Sequence, residues 1–109
     1  MTLNDIIKAT SAEVLTNADI STKDATGCYV CDLLSLAMSK VCAGDVWITV
    51  QANVNIAAVA VLTEAACVLV AEGMHIEDSV IAKANNEGVV ILRTQMSAFA
   101  AAVAIGKLL

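Results

Sequence analysis

Apolar runs and capped, helix-forming segments alternate regularly along this chain. Short runs rich in Val, Ile and Leu predict buried strands, and most are followed by a longer segment that opens with a capping residue such as Thr2, Asp32, Asn53 or Thr94. The predicted strands are 13–16, 28–31, 46–50, 67–70 and 89–92, and the predicted helices are 3–9, 33–42, 54–66, 77–87 and 95–108. This rhythm predicts an α/β fold, a three-layer αβα sandwich with a mostly parallel sheet of about five strands. It leaves the strand order open.

Size and composition indicate one domain that spans residues 1–109. The chain has 109 residues, no proline and only five glycines, so no linker divides it. Hydrophobic residues make up 59% but aromatic residues only 3%. The core must therefore consist mainly of Ala, Val, Ile and Leu, which is typical of buried parallel strands and the helices that pack on them.

Charge and segment length exclude several classes of protein. The longest apolar stretch, 56–71, is interrupted by Thr63 and Glu64 and is too short to span a bilayer. The first residues lack a basic region followed by an apolar core, so we expect no signal peptide, a cytoplasmic location and reduced cysteines. The net charge of −5, with scattered basic residues, argues against nucleic acid as a partner.

Two predicted helices are apolar on every side. Residues 56–62 and 99–105 contain no polar side chain, whereas 77–87 has one apolar stripe and one polar face. One side of each apolar helix must meet the sheet, and the other is exposed unless a partner covers it. This pattern favours a homodimer or higher oligomer formed through one of these helices. Alternatively, the alanine-rich faces simply tolerate exposure.

Nothing in the sequence indicates a catalytic site, and we predict no enzyme activity and no cofactor. No nucleophile elbow or phosphate-binding loop is present, and His75 is read as a solvated loop residue rather than an acid–base group. Cys28 and Cys31 form a C-x-x-C motif, which leaves open a thiol-redox or metal-carrying protein. With Cys42 and Cys67 they match no metal-ligand spacing, so we expect four small buried thiols and no metal.

Polar side chains follow the carboxyl ends of three predicted strands. They are candidate ligand-binding groups because these ends share one edge of a parallel sheet, where helix amino termini also point. Asn53 and Thr94 could equally be plain helix caps. The set consists of Gln51, Asn53, Asn55, Glu72, Gly73, Arg93 and Thr94.

Several short segments together resemble the DRTGG domain family over nearly the whole chain. They are Asp-Ala-Thr-Gly-Cys at 24–28, Tyr-Val-Cys-Asp-Leu-Leu-Ser at 29–35, Trp-Ile-Thr-Val-Gln at 47–51 and Asn-Ile-Ala-Ala-Val-Ala at 55–60. Two residues depart from the motif: Ala25 replaces its Arg and Cys28 its second Gly. The loss of the Arg puts an anion contact at this loop in doubt. The resemblance adds Asp24, Thr26 and Gly27 to the candidate ligand-binding residues, and we expect them near the polar strand ends.

The resemblance implies a regulatory role. DRTGG domains are accessory modules in some phosphate acetyltransferases and regulatory pyrophosphatases, and they are similar in fold to the amino-terminal domain of HPr kinase/phosphorylase. Small stand-alone relatives in anaerobic bacteria are often encoded near iron-only hydrogenase components. The implied function is a homodimeric regulatory or ligand-sensing domain with a small-molecule or nucleotide ligand and a protein partner such as a redox enzyme. The alternatives are the thiol-redox protein and a purely structural assembly subunit.

Overall fold

A five-stranded sheet forms the centre of the computed structural model, which describes all 109 residues. The strand order is β1-β5-β4-β3-β2; β2 to β5 run parallel, and β1 pairs antiparallel with β5. The elements follow in the order α1 (Leu3–Thr10), β1 (Glu13–Val14), β2 (Gly27–Val30), α2 (Leu34–Lys40), β3 (Asp45–Thr49), α3 (Asn55–Thr63), β4 (Cys67–Val70), α4 (Asp78–Glu87), β5 (Ile91–Arg93) and α5 (Ala98–Gly106).

Helices cover both faces of the sheet, which confirms the predicted three-layer αβα sandwich. Alternate residues of β3, β4 and β5 point to opposite faces, so each strand is buried on both sides. On one face they pack against α2, α3 and α4 around Trp47 and Ile56. On the other face they pack against α1 and α5 around Ile6, Ile48 and Ile105. The core is almost wholly aliphatic, as the composition predicts.

Helix α1 begins as the sequence predicts. Thr2 Oγ1 accepts a hydrogen bond from the Asp5 N–H, and the Asp5 carboxylate accepts one from the Thr2 N–H, each at 3.0 Å. This reciprocal capping box satisfies two backbone donors that no residue within the helix can reach. The acidic side chain also lies favourably in the first turn. The segment from Thr2 to Asp5 therefore determines where α1 begins.

Two other predicted caps, Asp32 and Thr94, are wrong, and Val54 rather than Asn53 holds the cap position of α3. Asp32 does not cap α2; Leu33 holds the cap position and makes no side-chain bond there. Thr94 does not cap α5, because Ser97 does so by accepting from the Ala100 N–H at 3.1 Å. Both predicted caps follow a strand directly, and their side chains bond to neighbouring parts of the fold instead. The helices consequently start later than predicted and are shorter.

The two apolar helices each bury one stripe and expose another. In α3, Ile56, Ala57, Val59 and Ala60 are buried while Leu62 is 68% exposed. In α5, Ala101 and Ile105 are buried while Phe99 is 79% exposed. Because α3 and α5 lie on opposite faces of the sheet, the single chain exposes an apolar helical surface on each of its two outer layers. None of the helices combines the length and the hydropathy that crossing a membrane requires.

Candidate functional site

Asp32 joins the carboxyl ends of β2 and β3. One of its carboxylate oxygens, Oδ1, accepts from the Val50 N–H at 3.0 Å and from the Thr49 hydroxyl at 3.3 Å. Gln51 Nε2 donates to the Asp32 carbonyl at 2.8 Å. The second carboxylate oxygen has no partner within the chain and the residue is exposed. Asp32 is thus the centre of a polar network at this edge of the sheet.

Asn53 and Asn55 extend the network toward α3. Asn53 Nδ2 donates to Gln51 Oε1 at 3.2 Å, and Asn53 Oδ1 accepts from the Asn55 N–H at 2.9 Å. This second bond spans two residues and closes a turn that leads into the first turn of α3. The structure therefore brings Gln51, Asn53 and Asn55 together, as the positional argument predicts. We call these three residues and Asp32 the carboxyl-edge cluster.

The predicted residues Glu72 and Gly73 form a tight turn after β4. Both have a positive φ, of 63° and 59°. Their N–H groups donate to the carbonyls of Met96 and Thr94, each at 2.8 Å. A Cβ on Gly73 would clash with the side-chain amide of Gln95. The positive φ favours glycine at position 73, and the turn holds the segment after β5 against the end of β4, on the same edge as the carboxyl-edge cluster.

Arg93 and Thr94 are engaged within the fold. Arg93 Nε donates to Glu13 Oε1 at 2.7 Å, and its terminal nitrogen forms an ion pair with the same carboxylate. This contact lies between β5 and β1, two strands away from β3. Thr94 is buried, donates to the Thr10 carbonyl at 2.6 Å and accepts from the Met96 N–H at 3.2 Å. These contacts give both residues a structural role.

The loop with Asp24, Thr26 and Gly27 lies at the opposite edge of the sheet, so its predicted position beside the strand carboxyl ends is wrong. Gly27 opens β2 and pairs with Asp45, the first residue of β3. Because β2 and β3 are parallel, the length of a strand, about 10 Å or more, separates this loop from Gln51 and its neighbours. The predicted residues therefore form no single site. The family resemblance placed the loop in the set, but strand direction decides where it lies.

This loop has a packing role at the amino edge. The Thr26 N–H donates to the Gly44 carbonyl at 2.9 Å, and the Ala25 N–H donates to the Met1 carbonyl at 2.8 Å. Ala25, which stands where the motif has Arg, is fully buried. A Cβ on Gly27 would clash with the Asp45 carboxylate, which accepts a hydrogen bond from the Cys42 N–H, so a larger residue here would displace that side chain. The loop fastens the amino-terminal segment to the start of the sheet.

The four cysteines differ in exposure, so the expectation of four buried thiols is wrong. Only Cys67 is buried; Cys42 is exposed, and Cys28 and Cys31 are half-buried. Cys28 packs with the α5 face and Cys31 with the α2 face, so the two C-x-x-C thiols lie on opposite sides of the sheet. Burial, reinforced by the nearby Asp45 charge, raises the pKa of Cys28 to about 11. A protonated thiol separated from its partner is poorly suited to redox exchange.

No three His, Cys, Asp or Glu side chains are placed to hold a metal ion, and no pocket opens on the surface of the chain. His75 forms a surface pair with Glu77 at 3.5 Å, and both side chains are exposed.

Sequence reasoning missed Asp32 as a member of the edge cluster. The sequence did indicate its position, because Asp32 lies two residues after β2, as Gln51 lies two residues after β3. Counting the polar residues that follow β2, as was done for the other parallel strands, would have included Asp32 among the candidates.

Comparison with known proteins gives a family and a fold. A family model for the DRTGG domain matches residues 5–108. The chain is also similar to a solved structure, the CBS and DRTGG domains of the regulatory region of Clostridium perfringens pyrophosphatase complexed with the activator diadenosine tetraphosphate. The TM-score is 0.80 at 18% identity, over 95% of this chain and 45% of that one.

This chain therefore spans less than half of its structural neighbour. At 18% identity, that likeness establishes a shared fold. No curated protein matches the sequence. The family match covers nearly all of the chain, and so the protein belongs to the DRTGG domain family.

Proposed function

We propose that this protein is a non-catalytic, cytoplasmic regulatory domain that senses a small ligand of the nucleotide class and acts as a homodimer. The observation that carries the proposal is the DRTGG match over residues 5–108. A domain of the same fold lies in the regulatory region of a pyrophosphatase that was solved with a nucleotide activator.

The carboxyl-edge cluster is the proposed ligand site. Its side chains offer amide donors, amide acceptors and the unpaired oxygen of Asp32. Such groups suit the hydroxyls of a ribose and the edge of a base. Arg93, the one cation among the predicted site residues, is paired with Glu13. The geometry therefore favours recognition of the nucleoside part of a ligand over its phosphates.

Thermal unfolding with adenosine, AMP, ATP and diadenosine tetraphosphate tests this proposal. At ten times its dissociation constant a ligand stabilises the folded state by about 1.4 kcal/mol, which raises Tm by about 6 °C. Asn53→Ala should reduce this shift, while Asn86→Ala, on the exposed side of α4, should leave it unchanged. The nucleotide should be recovered chemically intact. No shift with any of these compounds, or an equal shift in Asn53→Ala, would contradict the proposed site.

The homodimer is proposed because α3 and α5 each expose an apolar stripe, and a partner that covers one of the two would bury it. Leu62 and Phe99 have large apolar side chains that are mostly in water in the single chain. Burying apolar surface stabilises an assembly by about 25 cal/mol per Å², whereas scattered surface charges contribute little. A purely structural assembly subunit would form the same dimer but show no ligand-dependent shift. The thermal assay therefore separates these two functions.

A redox enzyme is the proposed protein partner, with an iron-only hydrogenase as the example that the family resemblance implies. Co-expression with the components of such an enzyme is expected to give a complex that survives size-exclusion chromatography. The complex should form equally with a variant in which Cys28 and Cys31 are serine, because regulation by binding needs no thiol. A complex that forms only with both cysteines would support the thiol-redox alternative instead.

A further inference from the structure

The two outermost strands of the sheet, β1 and β2, differ in how well they are protected against pairing with a strand of another chain. At one edge, β1 has only two residues, and the Glu13–Arg93 ion pair lies across it. At the other, β2 has four residues, Gly27–Val30, with no charge and no proline. Short strands, charges and prolines are the usual devices that keep an edge from pairing with another chain. The β2 edge has none of them.

The outward backbone groups of β2 have no partner. The Cys31 N–H donates to the Ile48 carbonyl at 3.1 Å. Together with the parallel register, this bond determines which residues of β2 direct their backbone groups toward β3. In this register Gly27, Tyr29 and Cys31 bond to β3, whereas the N–H and C=O of Cys28 and Val30 point away from the sheet. These four groups bond to no other part of the chain. They are ready to pair with a further strand.

Exposed apolar side chains occur on β2, on the chain that directly follows it and on α5, which packs on β2. Val30 is on the strand itself; Leu33 and Leu36 are on the adjoining start of α2; Phe99 and Val103 are on α5, which packs on β2. We call these five side chains and the backbone of β2 the β2-edge surface. Their exposed fractions run from 40% to 79%. At about 150–200 Å² for each fully exposed side chain, they present roughly 500 Å².

Area and charge both suit a second copy of this chain. Two copies of this surface would bury roughly 1,000 Å² in total, which is about the lower limit for a specific interface. The chain as a whole carries a net charge of −5, which opposes self-association. Residues 27–40 and 98–109 hold only one acid, Asp32, together with Lys40 and Lys107. Asp45 also lies beside Gly27, yet the surface carries fewer acids than the rest of the chain and little acidic repulsion opposes the approach of two copies.

We propose that two copies pair antiparallel through β2 to form one continuous sheet, with the two-fold axis at Tyr29. This inference rests on the proposed homodimer and assigns its interface. Both outward groups of Cys28 then bond to Val30 of the partner subunit, and by symmetry those of Val30 bond to Cys28 of the partner subunit. Tyr29 faces Tyr29 of the partner subunit as a non-hydrogen-bonded pair, with Cα atoms about 4.5 Å apart.

A lysine placed in the edge tests the interface. In Val30→Lys the charge falls within the contact, and the dimer dissociation constant should rise by about a hundredfold or more. Val61→Lys on α3 is a matched control, because Val61 and Val30 are exposed to nearly the same extent, 43% and 46%. Mass is measured by light scattering and sedimentation at micromolar concentration, and folding by circular dichroism. Val30→Lys should be a folded monomer, and Val61→Lys a dimer.

Disulfide trapping tests the register independently. In a chain whose Cys28, Cys31 and Cys42 are serine, Tyr29→Cys places two thiols across the axis, and the Cα separation lies within the usual disulfide range of about 4.4–6.8 Å. Mild oxidation should give a covalent dimer that dithiothreitol reverses. Val14→Cys, on the β1 edge and 40% exposed, is the control and should remain monomeric on a non-reducing gel.

The outcomes of these experiments distinguish pairing through β2 from the proposed homodimer on which it rests. A dimer that persists in Val30→Lys but dissociates in Val61→Lys overturns pairing through β2 and moves the interface to α3. Failure of Tyr29→Cys to cross-link while Val30→Lys is monomeric overturns the register. A wild-type monomer overturns both the edge pairing and the homodimer, while the nucleotide-dependent Tm shift still tests ligand sensing.

Discussion

Replacing Trp47 with alanine is expected to lower the free energy of unfolding by about 3–5 kcal/mol, the usual cost of truncating a large buried aromatic residue. Trp47 is fully buried on β3 in the layer shared with α2, α3 and α4. Its indole Nε1–H also donates to the Cys31 carbonyl at 2.9 Å. The substitution thus removes packing from the core and a bond to the residue that follows β2. Since domains of this size are stable by about 5–15 kcal/mol, the loss is a large fraction of the total.

Trp47→Phe separates the two contributions. It keeps most of the apolar volume but leaves the Cys31 carbonyl without its donor, so we expect a smaller loss of about 1–3 kcal/mol. Chemical denaturation followed by circular dichroism measures both variants, because Trp47 is the only tryptophan and its replacement removes the fluorescence signal. Equal stability of Trp47→Ala and the wild type would show that the described core is incorrect.

Thr94→Val is expected to lower the free energy of unfolding by about 2 kcal/mol, although the two side chains have the same shape. The hydroxyl donates to the Thr10 carbonyl and accepts from the Met96 N–H. Thr94 is only 1% exposed, so water cannot replace these bonds without opening the structure. The loss should appear as a lower denaturation midpoint with an unchanged slope.

Thr94→Ser is the control for this prediction. Serine keeps the hydroxyl and both bonds, and it loses one methyl group, for which we expect about 1 kcal/mol or less. Below its melting temperature, Thr94→Val should show the same nucleotide response as the wild type, because the hydroxyl is occupied within the fold. If Thr94→Val loses the ligand response at full stability, Thr94 is a binding residue and its structural role is secondary.

The distribution of candidate groups explains why the fold was easier to predict than the site. Runs such as 46–50 and 67–70 predict strands because a strand buried on both faces must be apolar along its whole length. Predicting where side chains meet requires strand direction and order. Strand direction placed Gln51, Asn53 and Asn55 together and moved Asp24, Thr26 and Gly27 to the far edge.

Caps and cysteines show the same limit. Asp32 and Thr94 have the residue types that caps prefer, and local pattern cannot distinguish a cap from a side chain that bonds to a distant strand or helix. Asp32 bonds to the end of β3, and Thr94 bonds to the carbonyl that ends α1. The spacing of Cys28 and Cys31 is that of a redox pair, but three residues along an extended chain turn the thiols to opposite faces.

By itself, the sequence determined the αβα sandwich, the aliphatic core, the first helix cap and the membership of the DRTGG family, because these follow from local composition, periodicity and motif. Only the tertiary structure decided the strand order, the separation of the motif loop from the carboxyl-edge cluster and the pairing of Arg93 with Glu13. It also decided that β2 and β1 stand at the edges and that only β1 is protected by charge. These features depend on contacts between residues far apart in the chain, which hydrophobic periodicity does not encode.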